Sequence, residues 1–364
     1  MRMEKALCFK NPFLLVAGAR PNFMKVAPIA RILRKRRVAF RLLNTGQHHD
    51  PALSDVFLKQ LRLGSPDYNL GVGSGTHAET TARVLERGEK ILLKLKPRAV
   101  IVVGDVNSTF AMALAAVKLH LPVAHVEAGL RSRDPSMPEE INRILTDRIS
   151  DLLFTPSSDA DANLKAEGIP SRKKVRVGNV MIDSLVAALP LLPKPIEKSF
   201  VLMTFHRPSN VDSAAGLKQL TFFLKDVAKR IPIVLPLHPR TRTQLKKFHM
   251  WDFLIRIPNL KLTGPLGYFE FLNHMRSARA VVTDSGGIQE ETTYLGVPCL
   301  VMRTTTERPI CVKYGTAMLL GSNYTMATAC LEGILDGIWK KPKPIPLWEG
   351  HAAERIVSAL IKRL

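Results

Sequence analysis

ARAVVTDSGGIQEETTYLGVP, residues 278–298, contains a strand, a turn and a helix in that order. Small and β-branched residues run from Ala278 to Val282, and Ser285, Gly286 and Gly287 break the run. Ile288, Thr292 and Leu295 then recur on one helical face, and Gly296 with Pro298 stops the helix before the next apolar run, PCLVM. A strand that delivers glycines to a helix N-terminus presents free backbone N–H groups at the positive end of a dipole, and glycine lets an anion come close. Glu291 lies one turn further on, where a carboxylate can accept hydrogen bonds from ribose hydroxyls. On these residues alone the stretch is either an anion seat or a tight turn whose acidic residues favour the helix dipole.

The same grammar repeats outward in both directions. FLLVAG (13–18), FRLLNTG (40–46), AVIVVGD (99–105), PVAHVEAG (122–129), DLLFTPS (151–157) and VRVGN (175–179) occupy the first half. SFVLMTFHRP (199–208), PIVLPLHPR (232–240), LKLTGPL (260–266), PCLVMRTTTERP (298–309) and AMLLG (317–321) follow in the second. Continuous rather than alternating apolar runs suit strands covered on both faces, and helical stripes lie between them. The class is therefore α/β, with doubly wound parallel sheets.

At 364 residues and 46% hydrophobic content the chain is expected to form two domains. The helical pattern is interrupted by LVAALPLLPKPIEKS (185–199), which sets the expected domains at 1–190 and 195–349. WEGHAAERIVSALIKRL (348–364) restarts an amphipathic helix, placed to cross back to the first domain. Nearly every strand is followed at once by chemically capable residues, and parallel sheets collect ligands at the carboxyl ends of their strands. Two such sheets facing each other would direct these loops into one cleft.

No apolar stretch reaches the length of a membrane span. The opening MRMEKALCFKNPFLLVAGA imitates a signal peptide, but Lys10, Asn11 and Pro12 cut the apolar run to the length of a first strand, which points to a cytoplasmic protein. Cys8, Cys299, Cys311 and Cys330 form no CxxC pair and read as reduced, mostly buried thiols. The net charge of +22 fits nucleic acid, anionic lipid or an anionic small substrate equally. Its densest run, RILRKRRVAFR (31–41), reads as the solvated face of a helix whose apolar stripe is Val26, Ile29, Ala30 and Leu33. No aromatic-basic RNA signature accompanies the charge. There is no GxxxxGK[ST] loop and no GxSxG elbow, so neither a P-loop enzyme nor an α/β-hydrolase is indicated. His48, His49 and Asp50 are too few and too adjacent to argue for a metal.

Within this frame a few residues carry chemistry. Arg20 and Lys25, in GARPNFMK (18–25), stand at a strand-to-helix junction suited to a diphosphate, or are surface cations. Asp105 follows AVIVVG, Glu127 ends PVAHVE, and Glu139 follows Pro138 in the first turn of a helix with stripe Ile141, Ile144 and Leu145. Carboxylates at strand ends can act as general acids and bases, although Glu139 can equally serve its helix dipole. His206 and Arg207 follow SFVLMTF, and a histidine there is either structural or catalytic.

Taken together, these motifs resemble the non-hydrolysing UDP-N-acetylglucosamine 2-epimerases. The resemblance runs in order through GARPNFMKVAPI, TGQHHD, GDVNSTFAMALAA, HVEAGLRS, PEEINR, VGNVMIDSL, HRPSNVD, TDSGGIQEE, RTTTERP and GHAAERI. It implies two Rossmann-like domains in the manner of GT-B glycosyltransferases, a UDP-sugar substrate, no cofactor or metal, no nucleic-acid partner, no integral membrane segment and a homodimer. Arg20, His206, Ser285, Gly286 and Gly287 would contact the diphosphate, with Lys25 close by. Glu291 would hold the ribose, Phe271 would pack on uracil, and Arg308 would lie near the sugar or phosphates. Asp105, Glu127 and Glu139, with His206, would form the catalytic set. The implied reaction eliminates UDP across C1–C2 to give 2-acetamidoglucal, then adds UDP back with protonation on the other face, supplying precursors of surface polysaccharides. A hydrolysing epimerase or a GT-B glycosyltransferase is the alternative. Asn22 and Val106 stand where many relatives have Glu and Thr (GTRPE, GDTT), and Leu266 stands where some carry Gln. Those positions bear on the sugar, since some relatives take a diacetamido sugar or a uronate.

Overall fold

The computed structural model describes residues 11–46, 61, 63–195 and 199–364, and at Arg20 the backbone only. The chain divides into two compact units. One comprises the chain to Ala187 together with Pro346–Leu364, and the other is Ala188–Ile345.

Among the described residues, the first unit has a seven-stranded sheet. Its strands are β1 (Phe13–Ala17), β2 (Phe40–Asn44), β3 (Tyr68–Asn69), β4 (Val100–Val103), β5 (Val123–Val126), β6 (Leu152–Thr155) and β7 (Lys174–Arg176). Their spatial order is β3-β2-β1-β4-β5-β6-β7, and every pairing is parallel. The continuous apolar runs have the expected cause. Phe13, Leu15 and Ala17 of β1 pack with the helix Arg20–Lys35 and the closing helix Ala352–Arg363, while Leu14 and Val16 enter a second cluster with the helices His77–Leu95 and Asn107–Lys118. Both faces are covered, so no polar residue is needed in the middle of the strand.

The closing helix is held by more than apolar contact. Asp183 accepts hydrogen bonds from the amides of Ala352 and Ala353 at 3.0 and 2.8 Å, satisfying two of the orphan donors of that helix N-terminus. The basic run lies as read. Val26, Ile29, Ala30 and Leu33 are buried, and Arg31 and Arg34 to Arg37 are exposed.

The second unit is built from β8 (Val201–Thr204), β9 (Ile233–Pro236), β10 (Leu260–Thr263), β11 (Ala280–Thr283), β12 (Cys299–Val301) and β13 (Ala317–Leu319). They form a six-stranded parallel sheet ordered β10-β9-β8-β11-β12-β13. The helices Ala214–Ala228 and Tyr324–Leu335 cover one face with Leu217, Leu220, Leu224, Leu331 and Ile334. Both units are doubly wound, which is the fold class read from the sequence.

Each sheet order has one place where chain direction across the sheet reverses. It lies between β1 and β4 in the first unit and between β8 and β11 in the second. At such a switch point the loops from adjacent strands diverge to opposite faces and leave a crevice at the strand ends, where ligands bind in open α/β sheets. Gly18–Lys25 and Asp105 lie beyond the first pair of strands, and His206 and Ser285–Gly287 lie beyond the second. Among the described residues, no helix is long and apolar enough to cross a membrane.

Candidate functional site

The first unit assembles carboxylates. Beyond β1, Asn22 is buried, and its side chain bridges the turn. Its Oδ1 accepts from the amide of Ala19 at 2.9 Å, and its Nδ2 donates to the Val103 carbonyl of β4 at 3.0 Å. The departure at Asn22 thus ties the β1 turn to the end of β4. Asp105 is half-buried, and its Oδ2 accepts from Arg143 Nε at 3.0 Å and Nη2 at 2.7 Å, while its carbonyl accepts from Asn142 at 2.9 Å.

Glu127 is 6% exposed and sits at φ 72°, a left-handed conformation unusual for a residue with a side chain. Such strain persists where the surroundings over-determine it, and it gathers at functional sites. Here the amides of Glu127 and Ala128 both donate to the Phe154 carbonyl, at 3.1 and 3.0 Å, and fix the bend. The bend points the Glu127 carboxylate to the Lys25 ammonium, 2.6 Å away and also buried. Lys25 is therefore joined to a carboxylate of its own unit.

Glu139 is half-buried in the first turn of the helix Pro138–Ile149. The adjacent Glu140 is the buried one, accepting from the amides of Ser132 and Arg133 at 2.9 Å each and from Arg143 at 2.5 Å. The structure differs from the sequence reading in how this helix faces. Ile141, Ile144 and Leu145 are exposed at 51%, 43% and 40%, and the buried face is Glu140, Asn142, Arg143, Thr146 and Asp147. The helix turns its charged stripe inward because that stripe supports the two loops above it. Asp147 is the clearest member. Burial would push its carboxyl up, but His125 and Arg131 beside it hold it below the ordinary range.

The second unit gathers backbone donors and cationic side chains beyond β8 and β11. Asp284 is fully buried and binds the two switch-point loops together. It accepts from the His206 amide at 2.9 Å, the Arg207 amide at 2.9 Å, the Asn210 amide group at 3.0 Å and His206 Nδ1 at 3.1 Å. Burial opposes its charge, yet these donors keep its carboxyl below the ordinary value. Beyond it, Thr283 Oγ1 accepts from the Ser285 amide at 3.0 Å. A Cβ on Gly286 would stand 3.2 Å from Arg308 Nη1, while one on Gly287 would meet nothing within 4 Å. Space thus remains at Gly287, directly before the helix Ile288–Leu295, with guanidinium groups on its flank.

The strand-end segment RTTTERP supplies those guanidiniums. Arg303 bonds Glu307 at 3.1 and 3.2 Å, Arg308 Nε lies 2.8 Å from Glu290, and Thr306 donates to Gln289 at 2.9 Å. These links hold the segment against the start of the helix. His206 and His238 have ring centroids 5.1 Å apart, and partial desolvation with the neighbouring His206 lowers the His238 pKa. Glu291 is buried beside Tyr268 in the helix Tyr268–Ser277. Burial first, with Glu290 adding to it, raises Glu291 from 4.5 to about 7, against the opposing effect of the nearby Tyr268 hydroxyl. Burial and Glu291 together push the Tyr268 phenol well above its ordinary value. Phe271 is half-buried one turn along the same helix.

Sequence reasoning missed Arg143, Glu140, His125, Asp147, Asp284, Tyr268 and Arg303. A signal existed for some of them, since Glu140, Arg143 and Asp147 recur at helical spacing as a polar stripe. Gln47, His48, His49 and Asp50 lie outside the described residues, as does Cys8. Among the described residues, no three His, Cys, Asp or Glu side chains gather in a way that would hold a metal ion. Cys299 and Cys311 are buried free thiols, and Cys330 is half-buried.

Two sets of switch-point residues, one rich in carboxylates and one in backbone donors and guanidinium groups, can now be set against known proteins. Residues 30–361 match the family described as UDP-N-acetylglucosamine 2-epimerase. A UDP-N-acetylglucosamine 2-epimerase of Methanocaldococcus jannaschii is 40% identical over 361 residues, covering 95% of this chain and 98% of that protein. Its crystal structure in complex with UDP-GlcNAc and UDP superposes with a TM-score of 0.88 over 96% of this chain and 99% of that one. The Neisseria meningitidis enzyme bound to UDP-GlcNAc is 30% identical with a TM-score of 0.86, over 97% of this chain and 100% of that one. A UDP-2,3-diacetamido-2,3-dideoxy-D-glucuronate 2-epimerase of Pseudomonas aeruginosa is 41% identical over 317 residues, covering 85% of this chain and 88% of that protein. In sequence and in fold, nearly from end to end, the chain belongs to the UDP-N-acetylglucosamine 2-epimerase family.

Proposed function

We propose that this protein interconverts the C2 epimers of UDP-N-acetylglucosamine, or of a close UDP-acetamido sugar, by eliminating UDP across C1–C2 and adding it back. The observation that carries the reading is the chemistry that one chain supplies at its two switch points. The C2 proton of an N-acetylhexosamine has no adjacent carbonyl to acidify it, so direct deprotonation is hard. In the elimination a carboxylate takes the C2 proton, the C1–O bond breaks with its electron pair leaving on the diphosphate, and 2-acetamidoglucal results. In the return step the diphosphate oxygen attacks C1 while a second acid protonates C2 from the opposite face. Two faces require two proton-handling groups, and a departing diphosphate requires preorganised positive charge.

Asp105, Glu127 and Glu139 fit the first requirement, with the buried Lys25 setting the charge beside Glu127. Ser285, Gly286, Gly287, His206 and Arg308 fit the second, with Arg20 by family resemblance. Phe271 would lie against uracil, and Glu291 would take the ribose hydroxyls. The test is incubation with UDP-N-acetylglucosamine alone in D₂O, followed by NMR. UDP-N-acetylmannosamine carrying deuterium at C2 is expected. Free N-acetylmannosamine would point to hydrolysis, no turnover to a transferase, and product retaining protium at C2 would end the elimination mechanism. Because the Pseudomonas relative is named for a diacetamido uronate, the same incubation with that sugar decides between the two substrates.

Glu291 gives this reading a pH signature. Its pKa of about 7 in the folded protein exceeds the 4.5 of an ordinary glutamate. The folded state therefore holds the proton more tightly than the unfolded chain, and the Glu291 contribution to stability falls as pH rises from 4.5 to about 7. The slope approaches about 1.4 kcal/mol per pH unit inside that window. Ribose hydroxyls donate to the ionised form, so UDP should bind more tightly as pH rises toward about 7 and should displace a proton below it. Calorimetry at about pH 6 in buffers of different ionisation heat should find proton release that Glu291→Gln abolishes. Equal release from both proteins would remove Glu291 from the ribose.

A further inference from the structure

His125 is the most deeply enclosed ionisable group near the carboxylates. It lies inside β5 with no solvent exposure. Its two ring nitrogens point to different elements, one to the helix Pro138–Ile149 and one to the turn after β4. Nδ1 is 2.7 Å from Asp147 Oδ1, and Nε2 is 2.8 Å from the carbonyl of Gly104. That carbonyl belongs to the peptide immediately before Asp105. Gly104 itself is in the left-handed region, at φ 69°, and its amide donates to the Val126 carbonyl at 3.0 Å. The carbonyl direction, and with it the exit of Asp105 from β4, is therefore defined by one strand neighbour and one imidazole.

The other arm reaches the Glu127 turn. Asp147 Oδ2 accepts from the amide of Gly129, two residues beyond Glu127, at 3.0 Å, and lies 2.8 Å from Arg131 Nη1. Arg131 in turn donates to both oxygens of Glu167 at 2.7 Å. Gly129, at φ 83°, cannot accept a side chain, since a Cβ there would stand 2.5 Å from the Ala160 carbonyl. The two bent turns that carry Asp105 and Glu127 thus converge on one ring. Each ring nitrogen thus has an oxygen partner within hydrogen-bond distance. An apolar residue in the middle of β5 would have served the core equally well, as Ala124 and Val126 do on the opposite face. A buried polar network of this kind is stabilising only when every member is satisfied. The described partners meet that condition for the ring.

We propose that His125 is a positioning residue that fixes the spacing of the Asp105 and Glu127 turns, an inference that rests on the epimerase reading above. It touches no substrate. It acts by keeping the two proton-handling carboxylates in register with each other, and misplacement of such groups by about 1 Å can cost on the order of 10²-fold in rate.

Two substitutions separate its two arms. In His125→Asn the amide nitrogen falls near the place of Nδ1, keeping the donor to Asp147 and losing the one to Gly104. In His125→Gln the amide nitrogen falls near the place of Nε2, keeping the donor to Gly104 and losing the one to Asp147. Each variant breaks one arm of the tether, so each is expected to lose about 10²-fold in kcat with KM and UDP affinity unchanged. A merely structural histidine would give the opposite result, with turnover per folded molecule preserved in both and only Tm reduced. Wild-type kcat in His125→Asn would overturn the proposal. If that variant does not fold, wild-type kcat per folded molecule in His125→Gln would overturn it as well. Wild-type enzyme that makes no epimer would sink the reaction assignment instead, and amide exchange then decides the tether. Faster exchange from Gly104 to Val106 in His125→Asn supports it, and unchanged exchange refutes it.

Discussion

Asp105→Asn should leave a folded protein that binds UDP normally and turns over about 10²- to 10⁴-fold more slowly, the range general acid–base groups contribute. The amide keeps the shape of the carboxylate and removes its capacity to take or give a proton. Arg143, which now donates twice to Asp105, retains Glu140 at 2.5 Å, so no buried cation is stranded. The proposed diphosphate contacts come from other strands in the other unit, so UDP affinity has no reason to change. Glu127→Gln should lower kcat as much and, unlike Asp105→Asn, should also lower Tm. It removes the counter-charge from Lys25, whose side chain is only 8% exposed, and stranding one partner of a buried pair costs about 3–5 kcal/mol. Rates normalised to the folded fraction, with Tm and UDP affinity measured on the same samples, check both. Near-normal kcat in Asp105→Asn would remove that carboxylate from the chemistry. Loss of UDP affinity in step with kcat would mean that the substitution damaged the fold.

These two residues also mark the limit of what could be read from the chain. β4 and β5 were legible because strands buried on both faces are mostly apolar, as β4 is throughout and β5 is apart from His125, and the carboxylates that follow each run had to fall in the loop. That logic locates Asp105 and Glu127 to within a residue without any structure. It also recovers the class, since unbroken runs alternating with helical stripes leave few arrangements other than parallel sheets. β3 was missed because Tyr68–Asn69 is two residues long and carries no periodic signal. The helix Pro138–Ile149 was read with its faces reversed. Hydrophobicity normally decides which side faces in, but here Glu140, Arg143 and Asp147 find charged and backbone partners inside, while Ile141, Ile144 and Leu145 face out. Spacing shows that two faces exist, and only the partners across space show which one is buried. His125 was invisible for the same reason, since both of its partners are distant in sequence, at Gly104 and Asp147.

Asp284 illustrates a residue quoted in the motif yet overlooked beside its neighbours, and Asp284→Asn should be the most damaging single change to the nucleotide site. The carboxylate is fully buried and faces donors on every side: two backbone amides, the Asn210 amide group and the His206 ring. An asparagine placed there must turn its own NH₂ toward one of those donors. Breaking a buried, hydrogen-bonded charge in this way costs about 3–5 kcal/mol, so a drop in the Tm of the second unit is expected. UDP affinity should fall too, because His206 and Arg207 would no longer be held beside the Ser285–Gly287 turn. Hydrogen bonds to charged groups are worth about 1.5–3 kcal/mol, which corresponds to a loss of roughly 10- to 100-fold. The pH dependence follows the same charge. The folded protein holds the Asp284 carboxyl below its ordinary 3.8, so its contribution is complete above that value and disappears as pH falls through the folded pKa. Asp212→Asn is the natural control, since Asp212 pairs with Arg240 near the surface of the same unit, where ion pairs contribute about 1 kcal/mol or less. Calorimetry of UDP binding below the Tm of each variant separates the two effects. Wild-type affinity in a folded Asp284→Asn protein would show that the seat holds its anion without the His206 loop, and the role given to that loop would have to be abandoned.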